Sequence, residues 1–503
     1  MEALRVAVGL AAPWLLGYAW LRALRGEAPS NGWLDWGYAQ FAGVLLLTLI
    51  IRAVGLAGFA LSFRILLPCV LAAAALGAGI AWRRSRAALP KAAPASAQPH
   101  DPSHDPFALR GLAALVLALL LWRLGALAVD VVLRPLFPWD AWTQWATKAR
   151  VWSQLHAFVP FIGWEQWLTR APGYTDVAPH YPATVPLLQT WMAVAQGRFD
   201  DATMNLPWLA GFVALGCALY GQMKLLRVGT TWALFATYAA LSLPLLDTHV
   251  ALAGYADFHV AAAFALAVLA LAAWEQRPER YQQWLIALMV CLLPLLKVPG
   301  LAWGAIVVLG VLVAKFSGSW RRLAAMLAGM GVLAVGAAAL VWREKIAAVS
   351  GGSSAGVLGS LVDNLFLFDN WHLLWYLLPI VVVVARREAL GRLRGVTAVL
   401  AAGGAFLVFL FTGTRVAAWV TDYTTVNRAI LHMAPALAAY GALLLWYWAL
   451  ARERVAQAVA TPAPSPASAP ADSAPAAVAQ QAVEVRDGAG QAVAQRDGGR
   501  PAE

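Results

Sequence analysis

Residues 108–145 read ALRGLAALVLALLLWRLGALAVDVVLRPLFPWDAWTQW. The stretch to about residue 130 is apolar almost without interruption, and about 20 such residues suffice for a helix to cross a bilayer. The character then changes: Trp139, Trp142 and Trp145 fall within seven residues, around the acid Asp140, and the cations Lys148 and Arg150 follow. Runs like the first recur along most of the chain. They predict spans at roughly 3–23, 38–60, 62–82, 108–130, 204–224, 229–248, 251–274, 281–297, 299–316, 321–343, 371–386, 394–412 and 430–450. The expected fold class is therefore an all-α polytopic membrane protein with about 13 transmembrane helices. The first run, about 3–23, carries no small-residue cleavage site and reads as a span.

Bulk composition agrees. Of 503 residues, 61% are hydrophobic and only 13% charged, against about a quarter charged in soluble domains. An outer-membrane barrel would alternate apolar and polar residues instead. The net charge of +11, from 37 Lys and Arg against 26 Asp and Glu, does not point to nucleic acid here. The cations collect between spans, as cytoplasmic loops require. Cys69, Cys217 and Cys291 lie inside apolar runs and read as small core residues.

Those cations set the orientation. Arg83, Arg84 and Arg86, Lys224 with Arg227, Arg277 with Arg280, Lys315 with Arg321 and Arg322, Arg386 to Arg394, and Arg452 with Arg454 mark inside ends. The loops at about 131–203, 344–370 and 413–429 then face outward. The count closes if 183–197, PATVPLLQTWMAVAQ, is a re-entrant or interfacial helix in the first large outer loop. Four parts follow: an accessory bundle at 1–86, a Pro/Ala-rich cytoplasmic linker at 87–106, a working module at 107–450 and a disordered cytoplasmic tail at 451–503. No internal repeat is visible, which disfavours a transporter built on inverted halves.

Five polar clusters lie on the outward side. The tryptophans of loop 131–203 suit an aromatic belt at the membrane surface. Asp140 shares a helical face with Gln144 and Lys148 and is either a helix cap or a reactive acid. Asp176, His180 and Tyr181 follow in the same loop. Asp257 and His259 stand at the outer end of a span, where ionisable residues are costly. Lys297 sits between two spans on the side that disfavours lysine. Arg428 and His432 lie one helical turn apart at the mouth of the last span. The acids, cations and histidines are expected to converge on one cavity. No phosphate loop, zinc-binding helix or paired Cys motif is present.

At these residues the sequence resembles the GT-C glycosyltransferases, multispanning enzymes that use polyprenyl-phosphate-linked sugars. The resemblance covers about 107–450 and is nearest to bacterial mannosyltransferase- and aminoarabinose-transferase-like members. It rests on Asp140 in Pro138-Trp139-Asp140-Ala141-Trp142, on His180-Tyr181-Pro182, on Gly254-Tyr255-Ala256-Asp257 and on Asn427-Arg428 with His432 and Pro435. It implies a GT-C-like fold in the inner membrane with its active site facing the exterior. It also implies inverting transfer of a sugar from a polyprenyl-phosphate donor to a lipid, glycan or protein acceptor. Asp140 would be the general base, with Lys297 and Arg428 on the phosphate. Asp176, His180, Tyr181, Asp257 and His432 would bind substrate, and Trp139, Trp142 and Trp145 would stack on sugar. Related enzymes often pair two acids at the first site. Here Ala141 and Trp142 follow Asp140, so no cofactor is expected and a divalent metal is not favoured. The alternatives are a lipid-linked glycan ligase or polymerase, which would prefer more arginines outside, and a transporter or flippase of lipid-linked saccharides.

Overall fold

The computed structural model describes residues 1–87, 107–316, 357–414, 416 and 419–460. The chain divides into two units, Met1–Leu450 and Ala451–Glu503. Among the described residues, eight helices are long and apolar enough to cross a membrane. Within the first unit these begin with α1 (Glu2–Arg25), α2 (Gly32–Leu56), α3 (Phe63–Ala87) and α4 (Phe107–Leu133). The expected span 321–343 and the linker from residue 88 lie outside the described residues. In the second unit, residues 451–460 are helical, at the end of the helix Ala434–Ala460. The unstructured tail expected from 451 is corrected there: ARERVAQAVA is made of good helix formers and meets its first proline only at Pro462.

Besides a π-turn, a short parallel strand pair (Phe161–Ile162 with Tyr174–Thr175) and a closing 3-10 turn, the first large loop carries α5 (Ala146–Leu155), α6 (Trp164–Leu168) and α7 (Thr184–Gln196). Every residue of α7 is buried. Its 13 residues extend only about 20 Å, short of the roughly 30 Å of hydrocarbon a span must cross. α8 (Leu206–Leu225) follows. The expected span 229–248 is two helices, α9 (Thr230–Leu241) and α10 (Pro244–Ala251). Pro244 has no N–H to continue the ladder, so the chain restarts there as a new helix.

The core is built on α11 (Asp257–Gln276), in which every residue from Asp257 to Ala273 is buried. Its sequence is apolar on all faces and rich in alanine, so neighbouring helices approach it from every side. α8, α12 (Arg280–Leu296), α13 (Gly300–Phe316) and the helix Arg394–Gly413 pack around it. The N-terminal helices belong to the same compact unit. α1 and α2 cross where a Cβ on Gly43 would overlap the Pro13 carbonyl. Polar bonds join α2 to the later helices. Tyr281 donates to Asp35 (2.7 Å), and Tyr38 donates to the Leu266 carbonyl of α11 (2.7 Å). Gln222 of α8 donates to both Tyr38 (2.9 Å) and Gln282 (3.0 Å).

Candidate functional site

Asp140 opens a single π-helical turn, Ala141–Trp145, that runs into α5. Such turns widen a helix locally and recur at functional sites. The two readings of this acid are separated by its geometry. Its carboxylate makes no capping bond. It accepts instead from Arg428 Nη1 at 2.6 Å, although the two residues are 288 positions apart.

Arg428 lies in a short helix, Thr425–Leu431, and faces two acids at once. Its Nε and Nη2 donate to Asp257 Oδ2 at 3.0 and 2.9 Å. Its guanidinium also sits 4.4 Å from the centre of the Tyr255 ring, a favourable place for a cation. Burial alone would lower the basicity of this arginine, but Asp257 and then Asp140 hold its pKa above the usual value.

Asp257 is the first residue of α11, where the helix dipole favours a carboxylate. Its other oxygen, Oδ1, accepts from Lys297 Nζ at 2.6 Å and contacts His432 Nε2 at 2.9 Å. Lys297 reaches it because Val298-Pro299-Gly300 interrupts the helical path between α12 and α13; Lys297 itself is extended, as residues near an X-Pro step tend to be. His432 follows Arg428 by one turn, so both point to the same acid. Its tautomer is fixed by its other nitrogen. Trp303 Nε1–H donates to His432 Nδ1 at 2.9 Å, so Nδ1 is a lone pair and Nε2 carries the proton given to Asp257.

The cluster contains two carboxylates, two cations and a neutral imidazole, so its formal charges cancel. Its two acids differ in kind. Asp257 is fully buried and receives four donors. Asp140 is 27% exposed, and its Oδ1 has no hydrogen-bond donor among the described residues. One acid is enclosed by donors, and the other, among the described residues, has one oxygen without a donor.

The remaining predicted site residues divide. Tyr181 is half-buried beside the cluster. Burial and the charge of Asp257 push its phenol pKa up, so it stays a hydrogen-bond donor. Its ring takes Trp145 edge-on at 5.3 Å. His180 is exposed, 5.1 Å ring to ring from Tyr181, and makes no contact with the ion cluster among the described residues. Asp176 is buried in a separate pair, 2.5 Å from Lys148 Nζ, which also donates to the Ala178 carbonyl. That pair fastens the loop to α5. The three tryptophans occupy different environments: Trp139 and Trp142 are exposed and meet edge-on at 4.9 Å, while Trp145 is fully buried. Trp145 therefore packs the loop and offers no outer face for stacking.

Sequence reading passed over Trp303 and His249. Trp303 sits in an apolar helix, where nothing distinguishes it from a packing residue. His249 carries the one available signal, an ionisable ring near the end of an apolar run. Among the described residues, no three His, Cys, Asp or Glu side chains are gathered as a metal ion would require. A large cleft, about 850 Å³, lies elsewhere, between the C-terminal parts of α1 and α3 beside Arg22, Arg25 and Arg84. In comparisons with known proteins, no family model, curated protein or solved structure matches this chain.

Proposed function

We propose that this protein is a membrane glycosyltransferase that moves a sugar from a polyprenyl-phosphate donor to an acceptor hydroxyl, with inversion, on the extracytoplasmic face of the inner membrane. The observation that carries the reading is the pairing of unlike acids about one arginine. Asp257 draws Arg428 and Lys297 to a single carboxylate, and so keeps two like charges adjacent that would otherwise repel. Adjacent cations suit the phosphodiester of such a donor and the charge that builds on the departing phosphate monoester. Asp140 stands across Arg428 with a free oxygen, where a base would meet an acceptor.

The reaction follows from those positions. The donor phosphate takes Arg428 Nη1, and Asp140 is released from it. The freed carboxylate accepts the proton of the acceptor hydroxyl. That oxygen bonds to the anomeric carbon as the carbon–phosphate-oxygen bond breaks. Polyprenyl phosphate departs with the bonding electrons, its charge held by Arg428 and Lys297. Asp257 has no free lone pair for base chemistry.

The test is transfer from polyprenyl-phosphate hexoses and pentoses in proteoliposomes. Asp140→Asn is expected to reduce turnover by about 10²–10⁴-fold with the fold retained. Full activity in the folded variant sinks the mechanism. A buried neutral charge cluster also suits a coupled transporter of lipid-linked saccharides; movement of intact donor without release of polyprenyl phosphate would decide for that reading. Sidedness is read by labelling a cysteine placed at Val177, which is 68% exposed in the first loop.

A further inference from the structure

Within the cluster, among the described residues, one oxygen of Asp140 lacks a donor, so a bound sugar needs further hydrogen-bonding groups. One stands against Tyr255, the ring under Arg428. His249, on α10, is 6% exposed. Its Nδ1 lies 3.0 Å from the carbonyl oxygen of Leu245, one turn earlier. A carbonyl only accepts, so Nδ1 carries the proton and donates. In the neutral ring Nε2 is then a bare lone pair. It is buried and has no hydrogen-bond partner among the described residues.

The position of this lone pair gives it meaning. The imidazole lies 5.5 Å from the Tyr255 ring, and Tyr255 is the ring beneath Arg428. The turn after α10 presses Gly254 against Ala141, the neighbour of Asp140; a Cβ at Gly254 would stand 2.7 Å from the Ala141 Cβ. Two other buried atoms without partners sit on the π-turn after Asp140: the acceptor Gln144 Oε1 and the donor Trp145 Nε1–H. An ionised phosphate oxygen, such as that of a phosphodiester donor, only accepts and is repelled by an imidazole lone pair. A hydroxyl donates and accepts, and so serves both kinds of group.

We infer that His249 Nε2 accepts a hydrogen bond from a hydroxyl of a polyhydroxyl ligand bound beside Asp140. The inference deepens the reading of the cluster as a glycosyl-transfer site and rests on it. It assigns the two neighbours of Tyr255 different work: Arg428 takes the anion, and His249 orients the sugar without moving a proton.

The experiment uses protein labelled with ¹⁵N-histidine in lipid nanodiscs, free of glycoside detergents. The chain has eight histidines, and the His249 resonances are assigned by their loss in His249→Phe and His249→Gln. The probes are methyl glycosides of mannose, glucose, galactose and arabinose, inorganic phosphate and farnesyl phosphate. The unprotonated Nε2 signal is expected to shift on addition of at least one glycoside and to stay in place with inorganic phosphate. His249→Phe is expected to weaken that glycoside about tenfold, the worth of one hydrogen bond. No shift with any glycoside, an equal shift with phosphate alone, or undiminished glycoside affinity in a folded His249→Phe protein overturns the inference. A glycoside shift in a protein that does not bind farnesyl phosphate keeps the hydroxyl site and removes the phosphate-linked donor.

Discussion

Replacing Asp257 by Asn tests whether this acid is the counter-ion of the cluster. The wild-type charges sum to zero: Asp140 and Asp257 against Arg428 and Lys297, with His432 neutral. The substitution leaves a net charge of +1. It also places an NH₂ against either the Arg428 N–H pair or the Lys297 and His432 donors, at contacts of 2.6 to 3.0 Å. Asp257 itself is fully buried, so water does not compensate there. Breaking a buried pair in this way costs about 3–5 kcal/mol. Adding Lys297→Met removes the surplus charge, so the double variant is expected to be about 2–3 kcal/mol more stable than the sum of the single effects. Equilibrium unfolding in mixed micelles, followed by tryptophan fluorescence, measures all four corners of the cycle. Effects that add within about 0.5 kcal/mol, or an Asp257→Asn cost below about 1 kcal/mol, would refute the counter-ion role.

Two further predictions concern the surroundings. Gly254 has φ of +114°, so Gly254→Ala incurs backbone strain of about 1–3 kcal/mol. Its new Cβ also displaces Ala141, and turnover is expected to fall more than in a control variant of equal melting temperature. Lys148→Met leaves buried Asp176 without its cation, at a cost of about 3–5 kcal/mol, whereas Lys148→Met with Asp176→Leu is expected to recover most of it; melting curves of the two variants check this.

The membrane class was legible because a span is a local property: some 20 apolar residues announce themselves wherever they lie. Asp257 and Arg428 were legible for a related reason, since a charge beside an apolar run is costly and rarely idle. Sidedness suggested that these groups converge, but which atom pairs with which was not legible. Asp140, Asp257 and Arg428 meet across separations of 171 and 288 residues, and no periodicity encodes which helix ends come together. Asp176 shows the opposite outcome. It shares the loop of Asp140, yet Lys148, two helical turns beyond Asp140, captures it in a separate buried pair. Trp145 likewise shares its composition with Trp139 and Trp142, and only the π-turn decides that it points inward. The division of 229–248 into α9 and α10 rests on Pro244, and hydropathy alone does not weigh a missing N–H.

In the proposed mechanism the arginine between the two acids links anion capture to base release, and this can be measured apart from chemistry. Arg428 holds Asp257 through two nitrogens and Asp140 through one. The single bond is also the one nearer solvent, since Asp140 is 27% exposed and Asp257 fully buried. An anion arriving from the open side therefore competes with Asp140 and leaves the inner pair in place. Removing that competitor in Asp140→Ala is expected to tighten farnesyl phosphate by the worth of one partly exposed ion pair. That is about 0.2–1 kcal/mol, or up to roughly fivefold in Kd, in the same variant that loses turnover. If Asp140 instead holds Arg428 in place, the substitution loosens the arginine and binding weakens. Calorimetry with farnesyl phosphate distinguishes the two by sign, and weaker binding in Asp140→Ala would show that the carboxylate positions the arginine rather than waiting for the phosphate to displace it.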